Sequence, residues 1–251
     1  MSFRIIARLD IKGPNLIKGV RFEGLRVLGN PNDFAFKYYL DGADEILYLD
    51  TVASLYNRNH ICEFLKENAK NIFIPITVGG GIRKLDDVKK LLQSGADKVA
   101  LNTMAIKRPK ILSEISQKYG SQCTVLSVEA KNIGSGLWEA YQENGRERTG
   151  LDVLKWVVQA EKLGVGEILI TSIDKDGTKE GFDLCLLQAV SQRVSVPLIA
   201  SGGLGRPDHL KPILHKNIAD AAAVATGLHY GCFTIAKLKE TVASEEKNYH
   251  S

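Results

Sequence analysis

Short apolar segments alternate with amphipathic segments along the whole chain. The apolar segments end at polar or glycine residues, whereas stretches such as 84–94 and 151–163 carry apolar residues three and four positions apart, which is one face of a helix. This alternation is typical of repeated strand–helix units around a parallel sheet. We predict eight strands, over residues 4–9, 45–50, 74–78, 97–101, 123–128, 166–171, 197–201 and 220–225.

The two halves of the chain also resemble each other. An open sheet does not require such internal repetition, whereas two sets of four units close naturally into a barrel. We therefore predict a single (β/α)8 TIM barrel over 1–251, with half-barrels at about 1–120 and 121–251. The matching pairs are DEILYLD at 44–50 with GEILITS at 166–172, IPITVGGG at 74–81 with VPLIASGG at 196–203, and ADKVALNT at 96–103 with ADAAAVAT at 219–226.

Composition excludes several classes of protein. With 251 residues, 44% hydrophobic and 25% charged, the chain can bury a large core, so disorder and coiled coils are excluded. The formal net charge of +4 comes from scattered residues, which argues against nucleic acid as a partner. No apolar run approaches the roughly 20 residues that cross a bilayer, and Arg4, Arg8 and Asp10 interrupt the N-terminal one. We expect a cytoplasmic protein without a membrane partner.

No pattern in the sequence indicates a metal or another cofactor. The cysteines lie far apart, without metal-ligand spacing, and the five histidines show no spacing typical of zinc or of a catalytic triad. Asp174 and Asp176 share a loop that is too short for a calcium site. We expect that loop, with Asp176, Gly177 and the preceding Thr171, to recognise a substrate hydroxyl group instead.

Two connections are longer than a strand–helix turn requires. Residues 11–30 include Lys18 and several glycines, and insertions of this kind often act as active-site lids. Residues 134–150 are predicted to form a small hairpin around Glu143, Asn144 and Gly145. Surface decoration without a function is the alternative for both segments.

Asp10 and Glu129 follow the first and the fifth predicted strands. In a barrel of eight parallel strands the active site lies at the carboxyl ends, and strands four apart face each other across the mouth. The two carboxyl groups are therefore candidates for general acid and base catalysis. The alternative is that each one simply pairs with a nearby lysine, Lys12 or Lys131.

Glycine runs follow the third and the seventh strands, where bare backbone N–H groups can approach a phosphate closely. Polar residues end the neighbouring strands in both halves, so each half offers one anion site. Two such sites suit a ligand that is phosphorylated at both ends, whereas the alternative is that the glycines serve tight turns only. The candidate residues are Gly80, Gly81, Asn102 and Thr103 in the first half, and Gly202, Gly203, Thr226 and Gly227 in the second.

Four charged residues of alternating sign fall near the starts of strands, at the opposite end of the barrel: Arg4, Glu45, Lys98 and Glu167. Charges at the inner end of a strand cost desolvation energy unless they are paired, which predicts a ring of ion pairs. A purely stabilising ring and ordinary surface charges are the alternatives.

With these residues in view, the chain resembles the cyclase subunits of imidazole glycerol phosphate synthase over nearly its whole length. The resemblance implies a (β/α)8 barrel that forms a heterodimer with a glutaminase subunit of the class I amidotransferase type. It implies that ammonia passes through the barrel and reacts with a bisphosphorylated ribulosyl nucleotide, giving imidazole glycerol phosphate and aminoimidazole carboxamide ribotide. The matching stretches are RIIARLDIK, LIKGV, TVGGGI, GADKVALNT, GSQC, GEILITSIDKDGT and ASGG.

The resemblance also implies roles for individual positions. Asp10 matches the first catalytic aspartate, and Lys18 matches a lysine of the mobile first loop. The two phosphate sites match Gly81, Asn102 and Thr103, and Gly203 with the region of Thr226 and Gly227. The charged gate at the ammonia entrance matches Arg4, Glu45, Lys98 and Glu167.

Four positions depart from the family pattern. Glu129 replaces the second catalytic aspartate, Arg8 replaces a cysteine, and Gly13 with Pro14 replaces an Asp-Gly pair. In these features the chain is similar to a divergent branch that is found in lipopolysaccharide (O-antigen) pathways. That branch implies an alternative function, in which the barrel conducts glutaminase-derived ammonia to a sugar amidotransferase that forms an acetamidino sugar.

Overall fold

The computed structural model describes residues 2–51, 60–68 and 70–249, and its strands alternate with helices along these ranges. The strands are β1 (Arg4–Lys12), β2 (Asn15–Val20), β3 (Glu23–Gly29), β4 (Glu45–Asp50), β5 (Ile76–Gly79), β6 (Lys98–Leu101), β7 (Thr124–Gly134), β8 (Leu137–Gln142), β9 (Glu147–Asp152), β10 (Glu167–Ser172), β11 (Leu198–Ser201) and β12 (Ala221–Val224). The α-helices are α1 (Pro31–Leu40), α2 (His60–Asn68), α3 (Leu85–Gln93), α4 (Thr103–Lys107), α5 (Lys110–Tyr119), α6 (Val153–Lys162), α7 (Leu184–Ser191), α8 (Lys211–His215), α9 (Thr226–His229) and α10 (Ile235–Tyr249). Short 3-10 helices lie at Ser121–Cys123 and Pro207–Leu210.

Eight parallel strands close into a ring, in the order β1, β4, β5, β6, β7, β10, β11 and β12. The ring closes where β12 pairs with β1, with Arg4 opposite Ala221. Each of the eight predicted strands overlaps one strand of the ring, and the helical patterns at 84–94 and 151–163 correspond to α3 and α6. The chain thus forms a (β/α)8 TIM barrel, as predicted.

Side chains alternate between the inside and the outside of the barrel. In β1, Ile5, Ala7 and Leu9 pack in the large cluster that contains the helices, whereas Ile6 packs in a smaller cluster inside the ring. The inner cluster consists of Ile6, Leu47, Ala100, Val125, Leu169, Ile199, Ala221 and Ala223. Three of its members are alanines, so the middle of the barrel is lined by apolar and partly small side chains.

The segment 11–30, predicted as a long connecting loop, forms strands instead. β1 continues beyond the ring, and β2 and β3 add to it as an antiparallel meander. Leu16 and Ile17 are buried in β2, so this segment gains apolar burial in addition to backbone hydrogen bonds. The hairpin predicted at 134–150 is confirmed: β8 and β9 pair antiparallel beyond β7, on both sides of residues 143–145.

Within the described residues, no helix has both the length and the apolar character that crossing a membrane would require.

Candidate active site at the carboxyl ends of the strands

Asp10 lies buried at the carboxyl end of β1, between two cations. Arg8 Nε donates to Asp10 Oδ1 at 2.8 Å, and Lys18 Nζ donates to Asp10 Oδ2 at 3.2 Å. Lys18 also donates to both carboxylate oxygens of Asp176, at 3.0 and 2.8 Å. Two cations and two carboxylates therefore form one buried, charge-balanced chain from β1 through β2 to the loop after β10.

This network keeps Asp10 ionised. Burial alone would raise the pKa of the carboxyl group, but the charges and hydrogen bonds of Arg8 and Lys18 outweigh it and hold the pKa of Asp10 well below its usual range. Asp10 is thus a carboxylate at neutral pH and can accept a proton.

Glu129 has the opposite electrostatic character. Burial raises the pKa of its carboxyl group to about 7, although the backbone N–H of Gly145, which donates to Oε2 at 2.7 Å, and the charge of Arg8 favour the ionised form. Because Arg8 already pairs with Asp10, its charge and the Gly145 hydrogen bond offset only part of the cost of burying an ionised Glu129 carboxylate. The protonated form is therefore well populated at neutral pH, and a proton can be donated from it.

The alternative interpretation, that Asp10 and Glu129 pair with Lys12 and Lys131, is wrong. The cation partners of Asp10 are Arg8 and Lys18, and the Lys131 ammonium instead pairs with Asp174. A pair of carboxyl groups with pKa values displaced in opposite directions is typical of acid–base sites.

A cavity of about 390 Å³ opens next to Glu129. Four residues predicted for the first phosphate site, Gly80, Gly81, Asn102 and Thr103, line it. Asn102 Nδ2 donates to the carbonyl oxygen of Tyr141 at 3.1 Å, while its Oδ1 is buried without a hydrogen-bond partner among the described residues. Further residues line the cavity that no pattern in the sequence assigned to it: Leu49, Asp50, Thr51, Ile82, Arg83, Leu101, Met104, Lys107, Ser127, Glu143 and Asn144.

Three of the four residues predicted for the second phosphate site, Gly202, Gly203 and Thr226, line a much smaller recess, of about 10 Å³. Gly202 and Gly203 have φ of 93° and 102°, a conformation that suits glycine. The Cβ atom of any larger residue at Gly203 would lie 2.0 Å from the carbonyl oxygen of Gly181. The recess is lined by Asp176, Gly177, Lys179, Ser201, Gly202, Gly203, Leu204, Ala223, Val224, Ala225 and Thr226.

Two predicted binding residues lie elsewhere. Gly227 packs against Phe233, whose Cζ would be 2.3 Å from a Cβ atom at that position. Thr171 accepts a hydrogen bond from Arg8 Nη1 at 2.9 Å, and Ser201 accepts one from the same atom at 3.1 Å. Arg8 thus joins three strands of the barrel beneath the mouth. Its position two residues before Asp10, on the same face of β1, was the signal available in the sequence.

The opposite end of the barrel carries the ring of charges that was predicted. Arg4 pairs with Glu45 at 3.2 Å and with Glu167 at 2.8 Å. Lys98 pairs with the same two carboxylates, each at 2.9 Å. Glu45 also accepts a hydrogen bond from the Thr77 hydroxyl group. The four charges alternate around the end of the barrel, so the interpretation as unpaired surface charges is wrong.

Among the residues described, no group of three or more His, Cys, Asp or Glu side chains is arranged to hold a metal ion.

The fold and these two ends define a (β/α)8 barrel with two buried carboxyl groups of opposite pKa shift at its mouth. Residues 4–234 match the family model described as "Histidine biosynthesis protein". The chain is similar to proteins named "Imidazole glycerol phosphate synthase subunit HisF" from three organisms. It is 62% identical to that of Legionella pneumophila over 82% of this chain and 97% of the relative. Identity is 48% to that of Streptococcus sanguinis strain SK36, over 95% of both chains, and 44% to that of Solibacter usitatus strain Ellin6076, over 96% and 95%.

The chain therefore belongs to the histidine biosynthesis protein family, together with the HisF subunits of imidazole glycerol phosphate synthase. All these relatives carry the histidine-pathway name, so the comparisons do not favour the alternative function in a surface-polysaccharide pathway.

Proposed function

We propose that this chain is the ammonia-using cyclase subunit of a glutamine amidotransferase complex. It acts on a bisphosphorylated ribulosyl nucleotide and releases imidazole glycerol phosphate and aminoimidazole carboxamide ribotide. The observation that carries this proposal is the pair of buried carboxyl groups at the mouth, one held ionised and the other with a pKa of about 7.

The reaction needs both a proton acceptor and a proton donor. Ammonia adds through its electron pair to the carbonyl carbon of the ribulosyl part, the π electrons of the C=O bond move to the oxygen, and that oxygen leaves as water; the Asp10 carboxylate would remove an excess proton from the new nitrogen. When the C–N bond to the nucleotide part breaks, its electron pair stays with the departing nitrogen, which would take a proton from Glu129, and the nitrogen that came from ammonia closes the imidazole ring. Exchange of these protons with water restores both carboxyl groups.

The two phosphates of such a substrate are assigned to the two recesses at the mouth. Gly80 and Gly81 line the larger cavity, where their backbone N–H groups would bind a phosphate and the buried Oδ1 of Asn102 would accept a substrate hydroxyl group. Gly202, Gly203 and Thr226 line the smaller recess, which a phosphate would have to widen.

The charged ring and the apolar middle of the barrel support a route for ammonia. Ammonia is mostly ammonium in water at neutral pH, so an enclosed route from a glutaminase preserves the neutral nucleophile. The ring of Arg4, Glu45, Lys98 and Glu167 would form the entrance beneath a docked glutaminase subunit. Beyond it, the alanines of the inner cluster leave room for a small neutral molecule.

Turnover without the partner tests this function. The purified chain, given the bisphosphorylated ribulosyl nucleotide and an ammonium salt, should release both products. Asp10→Asn should abolish release, because an amide cannot accept the proton, while Asp174→Asn, outside the network, should keep most of it. Substrate that binds to the wild-type chain without any turnover would contradict the proposal.

A further inference from the structure

The turn at 143–145, which we name the strap, closes over the larger cavity. It is fixed by contacts to two elements, the helix α4 and the strand β7: the backbone N–H of Glu143 donates to Thr103 Oγ1 at 3.1 Å, the carboxylate of Glu143 pairs with Lys107 Nζ at 3.0 Å, and the backbone N–H of Gly145 donates to Glu129. Thr103 is predicted for the first phosphate site, and Glu129 is the proton donor of the proposed function. The strap therefore occupies groups that a bound substrate needs.

The Glu143 carboxylate lines the larger cavity, which we call the first recess and where the first phosphate is proposed to bind. Its side chain is 11% exposed, and both it and Lys107 line the cavity together with Gly80 and Gly81. A phosphate on these glycines would meet the carboxylate as a like charge and would compete with it for the Lys107 ammonium.

The backbone of the strap is the tight turn that joins the two strands of the hairpin. Glu143 and Asn144 have φ of 52° and 58°, in the left-handed region that non-glycine residues rarely adopt. Gly145 is closely covered by the β2–β3 turn, because a Cβ atom there would lie 2.4 Å from Cδ2 of Phe22. The strap is thus held in place by its polar contacts and by Phe22, and loss of those contacts favours its release.

We propose that Lys107 is a further ligand of the anion bound at the first recess, and that the Glu143 carboxylate holds Lys107 until the anion displaces it. The inference rests on the proposed phosphate site and adds two residues to it. Displacement of the strap also withdraws the Gly145 N–H from Glu129, so arrival of the anion changes the hydrogen bonding of the proposed acid.

An NMR titration tests this directly. The full chain, labelled with ¹⁵N-glycine, is titrated with inorganic phosphate at constant ionic strength, and the amide signals of Gly81, Gly145 and Gly203 are followed. Gly81 reports the first recess, Gly203 the second recess and Gly145 the strap. In the wild-type chain the signals of Gly81 and Gly145 should shift with the same midpoint concentration.

Matched variants separate the strap from general charge effects. Glu143→Gln should lower the Gly81 midpoint about fivefold, since it removes an internal competitor of the size measured for partly exposed ion pairs. Lys107→Met should raise the midpoint by a similar factor. Glu147→Gln is the control: it removes an equal charge from the same hairpin, at an exposed residue whose carboxylate accepts a hydrogen bond from Gln142.

Three possible results of the NMR titration count against the inference. A Gly81 signal that does not move, a Gly81 shift without a Gly145 shift, or equal midpoints in Glu143→Gln and Glu147→Gln would each overturn the inference. The turnover assay with ammonium salt is independent of these signals, so failure of the proposed function would be recognised separately.

Discussion

Removal of the Lys18 cation should destabilise the fold far more than removal of the Lys131 cation. Lys18 and Lys131 both pair with an aspartate of the loop after β10, but the side chains of the first pair are 2% and 5% exposed and those of the second 35% and 32%. Lys18→Met keeps most of the side-chain volume and leaves Asp176 as a buried carboxylate without its cation. Removal of one partner of a buried pair costs about 3–5 kcal/mol, whereas a half-exposed pair contributes up to about 1 kcal/mol.

Urea-induced unfolding at pH 7, followed by circular dichroism, measures both costs, with Lys131→Met as the matched control. The excess cost of Lys18→Met should shrink in acid, because protonation of the Asp10 carboxylate removes a buried charge that Lys18 compensates. The pKa of Asp10 is lowered in the folded state, so the stability it contributes is present at neutral pH and is lost in acid. Equal losses of stability in the two variants would refute the reasoning.

Three further predictions concern the acid, the ring and the anion sites. Folding raises the pKa of Glu129 from 4.5 to about 7, so the free energy of unfolding of the wild-type chain should fall as the pH rises between these values. The stability of Glu129→Gln relative to wild type should therefore rise by up to about 3 kcal/mol over the same pH range. A constant difference between the two chains in urea unfolding would contradict the raised pKa. In the complex with a glutaminase, Lys98→Ala should raise the ratio of glutamate released to product formed several-fold; an unchanged ratio in an assembled complex would leave the ring a stabilising role only. Crystals soaked in sulfate should show density near Gly81 first, in the larger cavity, and then near Gly203, and density at neither position would remove the bisphosphate argument.

The fold could be predicted from the sequence because every strand of the ring contains a short run of mainly buried residues, most of them apolar. Such runs leave a strong signal, and the repeated halves fixed their number at eight. The segment 11–30 was misassigned because glycines and lysines interrupt its apolar residues, so its burial depends on pairing with the extension of β1. Only the tertiary structure reveals that pairing.

The candidate functional site could be predicted from the sequence only in part, for a similar reason. Asp10, Glu129 and the ring could be located because their positions at strand ends determine which end of the barrel they occupy. The partners of Asp10 could not be predicted from the sequence. Lys18 contacts both Asp10 and Asp176, which are 8 and 158 residues away in the chain. The contact between Lys107 and Glu143 likewise joins a helix to a hairpin 36 residues later, and no local pattern encodes it.

The proposed reaction depends on two carboxyl groups that are in opposite protonation states near neutral pH. The most direct measurement is the pH dependence of kcat/KM for the bisphosphorylated substrate in the turnover driven by ammonium salt, with the concentration of free ammonia held constant from pH 6 to 9. Since kcat/KM reports the ionisation of the free chain, we expect it to fall as the pH rises through about 7, because Glu129 then loses the proton that it donates, while Asp10 stays ionised over the whole range. A kcat/KM that stays constant or increases up to pH 9 would contradict the assignment of Glu129 as the acid.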